Sequence, residues 1–273
     1  ITRIEYEPVY MSEQEYMSSI KMESARELKE PGKIYFYENY LFINESNEGV
    51  HVIDNSDPAN PQKVGFINIP ANKDIAVKND LLYADSETNL LVFDIQDIQD
   101  PELITTKENV FEKSGNEAPG FMHTQVDPSK GIVVDWKKVE VEETCTGNCY
   151  GVGPGGVVTT DMALFSAGGG TTTGVGGSMA RFTIKGNYLY AVDKQNLLTF
   201  DISSQEPSQA NKEQVGWDIE TIFPYENSLY IGSASAMYIY DITTPSSPGK
   251  LSVYEHMTAC DPVVVEDDLA YVT

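Results

Sequence analysis

A motif of about forty residues recurs along this chain. It is an apolar run closed by an aspartate, as in residues 50–54 (VHVID). The first two closing aspartates, Asp54 and Asp94, are 40 residues apart, and so are the last two, Asp201 and Asp241. Strand-rich repeats of this period are typical of β-propeller blades, so the spacing predicts an all-β propeller.

A second landmark, an apolar pair after a polar turn, keeps nearly the same step wherever repeats are adjacent. Its copies are Leu41-Phe42, Leu82-Tyr83, Leu189-Tyr190, Leu229-Tyr230 and Leu269-Ala270. We predict that each leucine lies in the second strand of a separate blade, with Ile132 marking the sixth. Residues 74–106 parse as one complete blade of four antiparallel strands. The expected fold is a six-bladed propeller, or a seven-bladed one if the chain continues beyond Thr273.

The length and composition agree with one globular unit. A chain of 273 residues with 41% apolar content can bury a substantial core, which predicts a single domain over residues 1–273. No basic and apolar leader precedes Ile1, so we expect that a targeting segment has been removed. The chain stops at residues 268–273 (DLAYVT), in the middle of a repeat, which predicts truncation inside the last blade.

The middle of the chain departs from the regular repeat. Between Leu82 and Leu189 lie 107 residues, which is two repeats of 40 and 27 residues more. We place Gly131–Trp136 in a third blade and the excess at 145–177, a Gly-rich stretch expected to be a flexible insertion. Residues 151–156 (GVGPGG) match the glycine pattern of dinucleotide-binding turns, but Pro154 replaces the required helix start. A loop is favoured, and no cofactor is predicted.

The first 32 residues are expected to supply a helix and a closing strand. Residues 12–15 (SEQE) have the form of a helix capping box, which predicts a short helix at about 12–19. Ile20–Glu23 then resembles an outer strand. We predict that this strand completes the last blade and closes the ring.

The net charge of −24, from 42 acidic and 18 basic residues, excludes several partners. Nucleic acid and anionic membrane surfaces would be repelled, because phosphate binding needs a concentrated basic face. No run approaches the roughly 18 apolar residues that span a bilayer. The acidity is typical of a soluble, monomeric exported protein, and recruitment of a basic partner is the alternative.

The recurring aspartates admit two interpretations. Asp54, Asn55, Ser56 and Asp57 are hard oxygen donors in four successive positions, as a calcium site requires. An aspartate at the same strand end in every repeat is also what an Asx turn requires, and the copies after Asp201 and Asp241 offer no further carboxylate. The turn is favoured, and no metal is predicted.

Two of the three cysteines, Cys145 and Cys149, lie close together in the sequence. Three cysteines and three histidines are too few and too scattered to indicate a zinc site. An exported protein permits a disulfide between Cys145 and Cys149, with Cys260 unpaired. Free thiols are the alternative.

These repeats resemble those of the LVIVD-repeat β-propellers. The similarity rests on the motifs above and on residues 39–45 (NYLFINE), 217–224 (WDIETIFP) and 259–265 (ACDPVVV). It covers roughly residues 33–273. The resemblance implies an exported bacterial protein, often a lipoprotein anchored through a cysteine that would precede Ile1. The family's activity is not established, so the resemblance implies no catalytic residue.

The repeat register predicts one candidate site. We align the first strands, which should line the central channel, on Phe36, Val77, Val126, Ile184, Phe223 and Val264. Three residues before these positions stand ionisable or imidazole side chains: Lys33, Asp74, His123, Arg181, Glu220 and Asp261. Each blade should therefore place one such group at the same height near one mouth of the channel. Alternating charges would satisfy one another in a structural network, whereas a small-molecule site is the functional alternative.

Three function classes remain open from the sequence. A binding scaffold that displays loops to a protein or glycan at the cell surface needs no catalytic set. An enzyme or small-ligand binder at the channel mouth would use His123 as acid or base, with Asp74 or Glu220. A purely structural role is the third.

Overall fold

A computed structural model describes residues 2–112, 126–142, 180–255, 263–266 and 269–272 of the chain. These residues are mostly β-strand, with a single short α-helix among them. They form two compact units. One comprises residues 1–17 and 113–174, and the other comprises 18–112 and 175–273.

The first half of the chain supplies a leading segment and two sheets. The leading elements are strand β1 (Thr2–Met11), helix α1 (Glu13–Ser19) and strand β2 (Lys21–Glu23). Sheet 1 contains β3 (Pro31–Tyr37), β4 (Tyr40–Glu45), β5 (Gly49–Asp54) and β6 (Gln62–Asn68). Sheet 2 contains β7 (Ile75–Lys78), β8 (Leu81–Ser86), β9 (Asn89–Asp94) and β10 (Glu102–Lys107).

The second half supplies one long strand and three further sheets. The long strand is β11 (Ile132–Glu142). Sheet 3 contains β12 (Phe182–Lys185), β13 (Tyr188–Val192), β14 (Asn196–Asp201) and β15 (Ser208–Gln214). Sheet 4 contains β16 (Ile219–Tyr225), β17 (Ser228–Ser233), β18 (Ala236–Asp241) and β19 (Gly249–Glu255). Sheet 5 contains β20 (Val263–Glu266) and β21 (Leu269–Val272).

The repeat landmarks lie where the sequence predicts them. Leu41 and Leu82 are in β4 and β8, and Leu189, Leu229 and Leu269 are in β13, β17 and β21, each the second strand of its sheet. Strands β7–β10 form one antiparallel sheet, which confirms the four-stranded blade predicted for residues 74–106. The fold is a β-propeller. Six blades stay a prediction, since the described residues contain four sheets of at least four strands and one strand pair.

Local sequence explains why these strands turn where they do. Between β7 and β8, Asn79 and Asp80 adopt φ values of 49° and 59°, the left-handed conformation of tight hairpin turns. After the third strand, Ser56 N donates to Asp54 Oδ1 at 2.8 Å, and Gln96 N donates to Asp94 Oδ1 at 2.9 Å. The same bond follows Asp201 and Asp241. The Asx-turn interpretation of these aspartates is confirmed.

Each complete sheet also carries a β-bulge that the sequence analysis did not predict. The register between the third and fourth strands shifts by one residue at the same place in all four sheets. The extra residues are Val64, Ile104, Ala210 and Leu251. A bulge increases the local twist of the outer strand.

Neighbouring sheets stack face to face and bury the core between them. Tyr83 and Val92 of sheet 2 pack in one cluster with Leu189 and Phe200 of sheet 3. A second cluster joins sheet 3 to sheet 4, and Met237 of sheet 4 packs against Val265 of sheet 5. The inner strands contact one another in the order β3, β7, β12, β16 and β20.

The predicted third blade at Gly131–Trp136 is wrong. Strand β11 pairs antiparallel with β1 along their length, from Met11 opposite Ile132 to Thr2 opposite Glu142. The alignment on Val126 fails too, because that residue precedes a short 3₁₀ turn and lies in no strand. Polar and apolar residues alternate only in part of each strand, at Ile4–Glu7 of β1 and at Lys138–Glu142 of β11, and the two strands form a two-stranded ribbon. In the propeller unit, sheet 2 is followed directly by sheet 3.

The predicted closing strand is also wrong, although the helix before it lies where the capping box places it. Glu15 N donates to Ser12 Oγ at 3.2 Å, and Ser12 N donates back to Glu15 Oε2 at 2.9 Å. Strand β2 then pairs with β6 as a fifth strand of sheet 1 rather than with the last blade. Asn68 Nδ2 donates to Ser19 O at 2.8 Å, and the Arg26 guanidinium lies 4.1 Å above the Phe66 ring. These side-chain contacts hold the segment around β2 against β6, which is the edge strand of sheet 1 with which β2 pairs.

Two predictions fall outside the described residues. Cys145 and Cys149 lie there, as does the whole of the predicted insertion at 145–177.

Candidate functional site

Four of the six candidate site residues lie near the starts of inner strands. Lys33 is in β3, Asp74 and Arg181 directly precede β7 and β12, and Glu220 is in β16. We call this end of the propeller sheets the mouth end. It also carries the turns between second and third strands and the loops that lead from one sheet to the next. His123 and Asp261 lie outside the described residues.

The Asp74 carboxylate is the most completely coordinated group of this set. It is 0% exposed. Its Oδ1 accepts a hydrogen bond from Ile75 N at 2.6 Å, and its Oδ2 accepts from Arg181 N at 2.5 Å and Phe182 N at 2.7 Å. Backbone N–H donors to a carboxylate are strong when both are buried. One side chain of sheet 2 therefore anchors the first residues of sheet 3.

Lys33 adds sheet 1 to this arrangement. Its ammonium lies 3.1 Å from Asp74 Oδ1 and 3.2 Å from Oδ2, and its side chain is 11% exposed. It also donates to Ile75 O at 3.0 Å and to Phe182 O at 2.8 Å. An ammonium has three donors, and all three are used. The pair ties sheets 1, 2 and 3 together and leaves no donor of Lys33 for a ligand.

Arg181 and Glu220, which the register predicts as neighbours, form no ion pair with each other. The side chains of both are partly buried. Glu220 has no ion pair with any residue that the structure describes. Of the four described candidates, Lys33 and Asp74 thus form one tightly bonded pair, whereas Arg181 and Glu220 are not paired to each other.

A second buried acid, Asp85, was missed by the sequence analysis. Its Oδ1 accepts from Asn72 Nδ2 at 2.9 Å, Lys73 N at 2.8 Å and Asp74 N at 2.9 Å. Asn72 is itself bonded to Asn44 of sheet 1 at 2.6 Å. Burial raises the pKa of Asp85, and the hydrogen bonds from Asp74 and Lys73 oppose that rise. The role is structural, because this network holds the loop between sheets 1 and 2.

Glu45 and His51 form another buried pair that no sequence signal identified. His51 Nε2 lies 2.8 Å from Glu45 Oε2, and each side chain is 3% exposed. Glu45 also accepts hydrogen bonds from the backbone of Lys29 and Glu30. Burial alone would raise the pKa of Glu45, but the hydrogen bonds from Glu30, His51 and Lys29 together lower it. The pair fastens the segment before β3 to sheet 1.

A small cavity lies between the inner strands of sheets 1, 3 and 4. Its volume is about 200 Å³. Its walls are mostly apolar, with the Lys33 stem and the Tyr35 ring on one side; they comprise Lys33, Tyr35, Ala180, Phe182, Thr183, Ile184, Ile222, Phe223 and Pro224. Tyr35 Oη already donates to Val77 O at 3.0 Å, so its proton is engaged. The cavity is the size of a very small ligand or a few waters.

Metal ligation and membrane insertion find no support among the described residues. No group of three or more His, Cys, Asp or Glu side chains is placed there to hold a metal ion. None of the helical segments described has the length and apolar character needed to cross a bilayer.

Comparison with known proteins supports the fold. The LVIVD repeat model matches residues 32–68 and 176–211, which correspond to sheet 1 and to most of sheet 3 with the residues before it. No curated protein matches the chain.

Solved structures with the same architecture are distant in sequence. A functionally unknown protein from Desulfotomaculum acetoxidans is 11% identical, with a TM-score of 0.50 over 87% of this chain and 60% of its own. The periplasmic gluconolactonase of Pseudomonas aeruginosa is 12% identical, with a TM-score of 0.49 over 84% of this chain and 55% of its own. A protein from Lactobacillus plantarum is 9% identical, with a TM-score of 0.49 over 97% and 70%. The chain spans 55% to 60% of the first solved structures it matches. These likenesses concern the fold alone.

Proposed function

We propose that this LVIVD-repeat β-propeller is an exported binding scaffold that recognises a polymer of the cell envelope through the exposed loops of its mouth end. The observation that carries the proposal is the coordination of Asp74. Asp74, one of the acids of the predicted ring, is fully buried and bonded to Lys33 and three backbone N–H groups. A general base or ligand-binding carboxylate must keep an oxygen available, and Asp74 keeps none in that role.

Exposed side chains at the mouth end supply what a scaffold needs. Trp217, in the loop from sheet 3 to sheet 4, is 67% exposed. Loops on a rigid scaffold are where binding residues concentrate, and tryptophan is among the side chains most enriched at binding surfaces. Export agrees with the LVIVD repeats, since proteins with these repeats are typically exported.

Binding of a small molecule in the channel is the second candidate. The cavity of about 200 Å³ beside Lys33 and Tyr35 favours it. The cavity is weak as a catalytic site, because the Lys33 ammonium and the Tyr35 hydroxyl already have hydrogen-bond partners inside the propeller unit.

The two candidates can be separated with two variants and one control. Surface plasmon resonance would measure binding of the purified chain to immobilised envelope polysaccharides and envelope proteins. Trp217→Ala removes the exposed mouth-end aromatic, and Ile184→Phe fills the cavity. Tyr254→Ala, which removes an equally exposed aromatic from outer strand β19, is the matched control.

The scaffold proposal expects saturable binding that falls at least tenfold in Trp217→Ala and is unchanged in Tyr254→Ala and Ile184→Phe. Loss of binding in Ile184→Phe with no effect of Trp217→Ala would favour the channel instead. Absence of binding to every envelope polymer would overturn the scaffold proposal.

A further inference from the structure

The cavity between the inner strands of sheets 1, 3 and 4 offers no free charge to a ligand. Among the residues that line it, Lys33 alone is charged. Its ammonium lies 3.1 Å from Asp74 Oδ1 and donates to Ile75 O and Phe182 O, so its three donors are used inside the propeller unit. A charged ligand would lose its water without gaining a partner of opposite charge, which is unfavourable. The cavity therefore suits an uncharged ligand.

The size of the cavity limits the ligand to a single small ring. Its walls combine buried residues, with Phe182 2% and Ile222 1% exposed, and partly buried ones such as Ile184 and Pro224. The volume is about 200 Å³. An apolar cavity of about 150 Å³ is large enough to bind benzene. The space here accommodates a ring of that size with a small substituent.

One backbone position at the cavity keeps hydrogen-bonding groups that the fold does not use. Phe182 N donates to Asp74 Oδ2, and Phe182 O accepts from Lys33 Nζ, so the backbone of Phe182 points out of its own sheet. Backbone groups of an edge strand point the same way at every second residue, so the N–H and C=O of Ile184 also point out of the sheet. No hydrogen bond joins either of them to another sheet in the described part of the chain.

The equivalent positions of two other inner strands differ from Ile184. Val77 and Pro224 lie, like Ile184, opposite the landmark leucine of the second strand. Val77 O accepts from Tyr35 Oη at 3.0 Å, and Pro224 has no N–H. Of the three positions, Ile184 alone combines an N–H and a C=O without a described partner. The hydroxyl of Thr183, a partly buried residue of the same wall, also forms no hydrogen bond with a described residue.

We propose that this cavity binds a small uncharged ring compound that carries a hydroxyl group, such as a phenol. The ring would fill the apolar space beside Phe182 and Ile222, and the hydroxyl would donate to Ile184 O. The inference goes beyond the scaffold function and does not depend on it, because it concerns the cavity rather than the exposed loops of the mouth end. It names the ligand class for the channel, the second candidate above.

The test compares p-cresol with three compounds of the same ring size. Toluene lacks the hydroxyl, and at pH 7 benzoate is negatively and benzylamine positively charged. Isothermal titration calorimetry with the full chain should give p-cresol a Kd below about 1 mM, since small ligands reach high affinity per atom. Toluene should bind more weakly although it is more apolar, because the hydroxyl of p-cresol has a partner at Ile184. Both charged compounds should bind at least tenfold more weakly than p-cresol.

Variants locate the binding in the cavity. Ile184→Phe adds volume inside it and should weaken p-cresol binding at least tenfold. Val253→Phe adds a ring to outer strand β19, where Val253 is 40% exposed, and is the matched control that should leave the affinity unchanged. Trp217→Ala should also leave it unchanged. Thermal unfolding shows whether each variant is folded. If Ile184→Phe is not, nuclear Overhauser contacts from p-cresol to the methyl groups of Ile184 and Ile222 in the wild type replace it.

Binding of toluene as tight as that of p-cresol, or of a charged compound within tenfold of it, would overturn the proposal. Unchanged affinity in folded Ile184→Phe, absence of the Overhauser contacts, or failure of p-cresol to bind at millimolar concentration would do the same. The scaffold proposal fails separately, through absence of polymer binding. A chain that binds p-cresol but no envelope polymer would retain the channel site alone.

Discussion

Sheets 2 and 4 are built from the same repeat but sit in different surroundings. Sheet 2 has sheet 1 on one side and sheet 3 on the other, and its mouth-end acid, Asp74, is buried with four donors. In sheet 4 a β-bulge shifts the register by one residue, so that Thr221 takes the position of Asp74, and the predicted acid, Glu220, is the extra residue of the bulge. Glu220 is only partly buried and forms no described ion pair. The bulge thus moves the predicted acid of sheet 4 out of the position in which Asp74 is buried in sheet 2.

The outer strands differ in the same way. Ile104 and Leu251 occupy the same bulge position in β10 and β19. Ile104 packs against the cluster shared with sheet 3, whereas Leu251 is 62% exposed. Equivalent apolar residues therefore contribute to the core in one sheet and face solvent in the other.

The largest expected effect is the loss of Asp74. Asp74→Ala leaves the Lys33 ammonium and three backbone N–H groups without their acceptor inside the protein, which should lower the free energy of unfolding by about 3–5 kcal/mol. Glu220→Ala should change it by less than about 0.5 kcal/mol. Urea unfolding at pH 7 measures both. Similar values for the two variants would break the comparison between sheets 2 and 4.

The ion pair itself can be isolated with Lys33→Met. Because the two groups contact each other, the double variant with Asp74→Ala should be less destabilised than the sum of the single variants, by about 0.5–3 kcal/mol. Simple additivity would mean that the backbone N–H groups, rather than Lys33, account for the role of Asp74.

An effect of opposite sign is expected at Lys73. Its folded-state pKa of about 8 lies below the ordinary value of 10.5, so between these values the unfolded chain binds more protons and stability rises with pH. Lys73→Met should raise the free energy of unfolding at pH 7 by up to about 3 kcal/mol. The gain should shrink as pH rises from 8 to 10.5. Urea unfolding across this range measures it, with Lys212→Met as the neutral control.

A destabilised Lys73→Met variant at pH 7 would contradict this prediction and would show that the lysine contributes to the fold.

The smallest effect concerns the two bulge positions. Ile104→Ala should lower the free energy of unfolding by about 1–2 kcal/mol, less than for a fully buried isoleucine, because the side chain is only partly covered. Leu251→Ala should change it by less than about 0.5 kcal/mol. Thermal unfolding of both variants checks the difference. A large loss at Leu251 would indicate that its exposed face is covered in solution.

Much of the repeat could be predicted because its signals are local. Leu82 lies shortly after a two-residue turn, Asp94 closes the third strand with its own Asx turn, and Ser12 caps a helix by accepting from the N–H three residues ahead. Each of these bonds joins residues that are close in sequence. Pattern and turn chemistry are sufficient for such features.

The wrong predictions concern strands whose pairing partners are distant in the sequence. Residues 132–142 have strand character, but nothing in them indicates pairing with β1 rather than a blade. Counting repeats allowed another blade between Asp74 and Arg181, whereas these residues are in direct contact. Strand propensity predicts that a segment will pair but not with which edge.

The sequence by itself determined the period, the four-stranded blade and the turns, because these depend on residues a few positions apart. Only the tertiary structure decided that sheet 3 follows sheet 2, that β2 joins sheet 1, and that Asp74 is an anchor rather than a free acid. The physical reason is that the hydrogen-bond donors around a buried carboxylate decide whether it anchors the fold or stays free to react. Apart from the neighbouring Ile75 N–H, those of Asp74 come from Lys33, 41 residues away, and from Arg181 and Phe182, 107 and 108 residues away, and no local pattern brings these residues together.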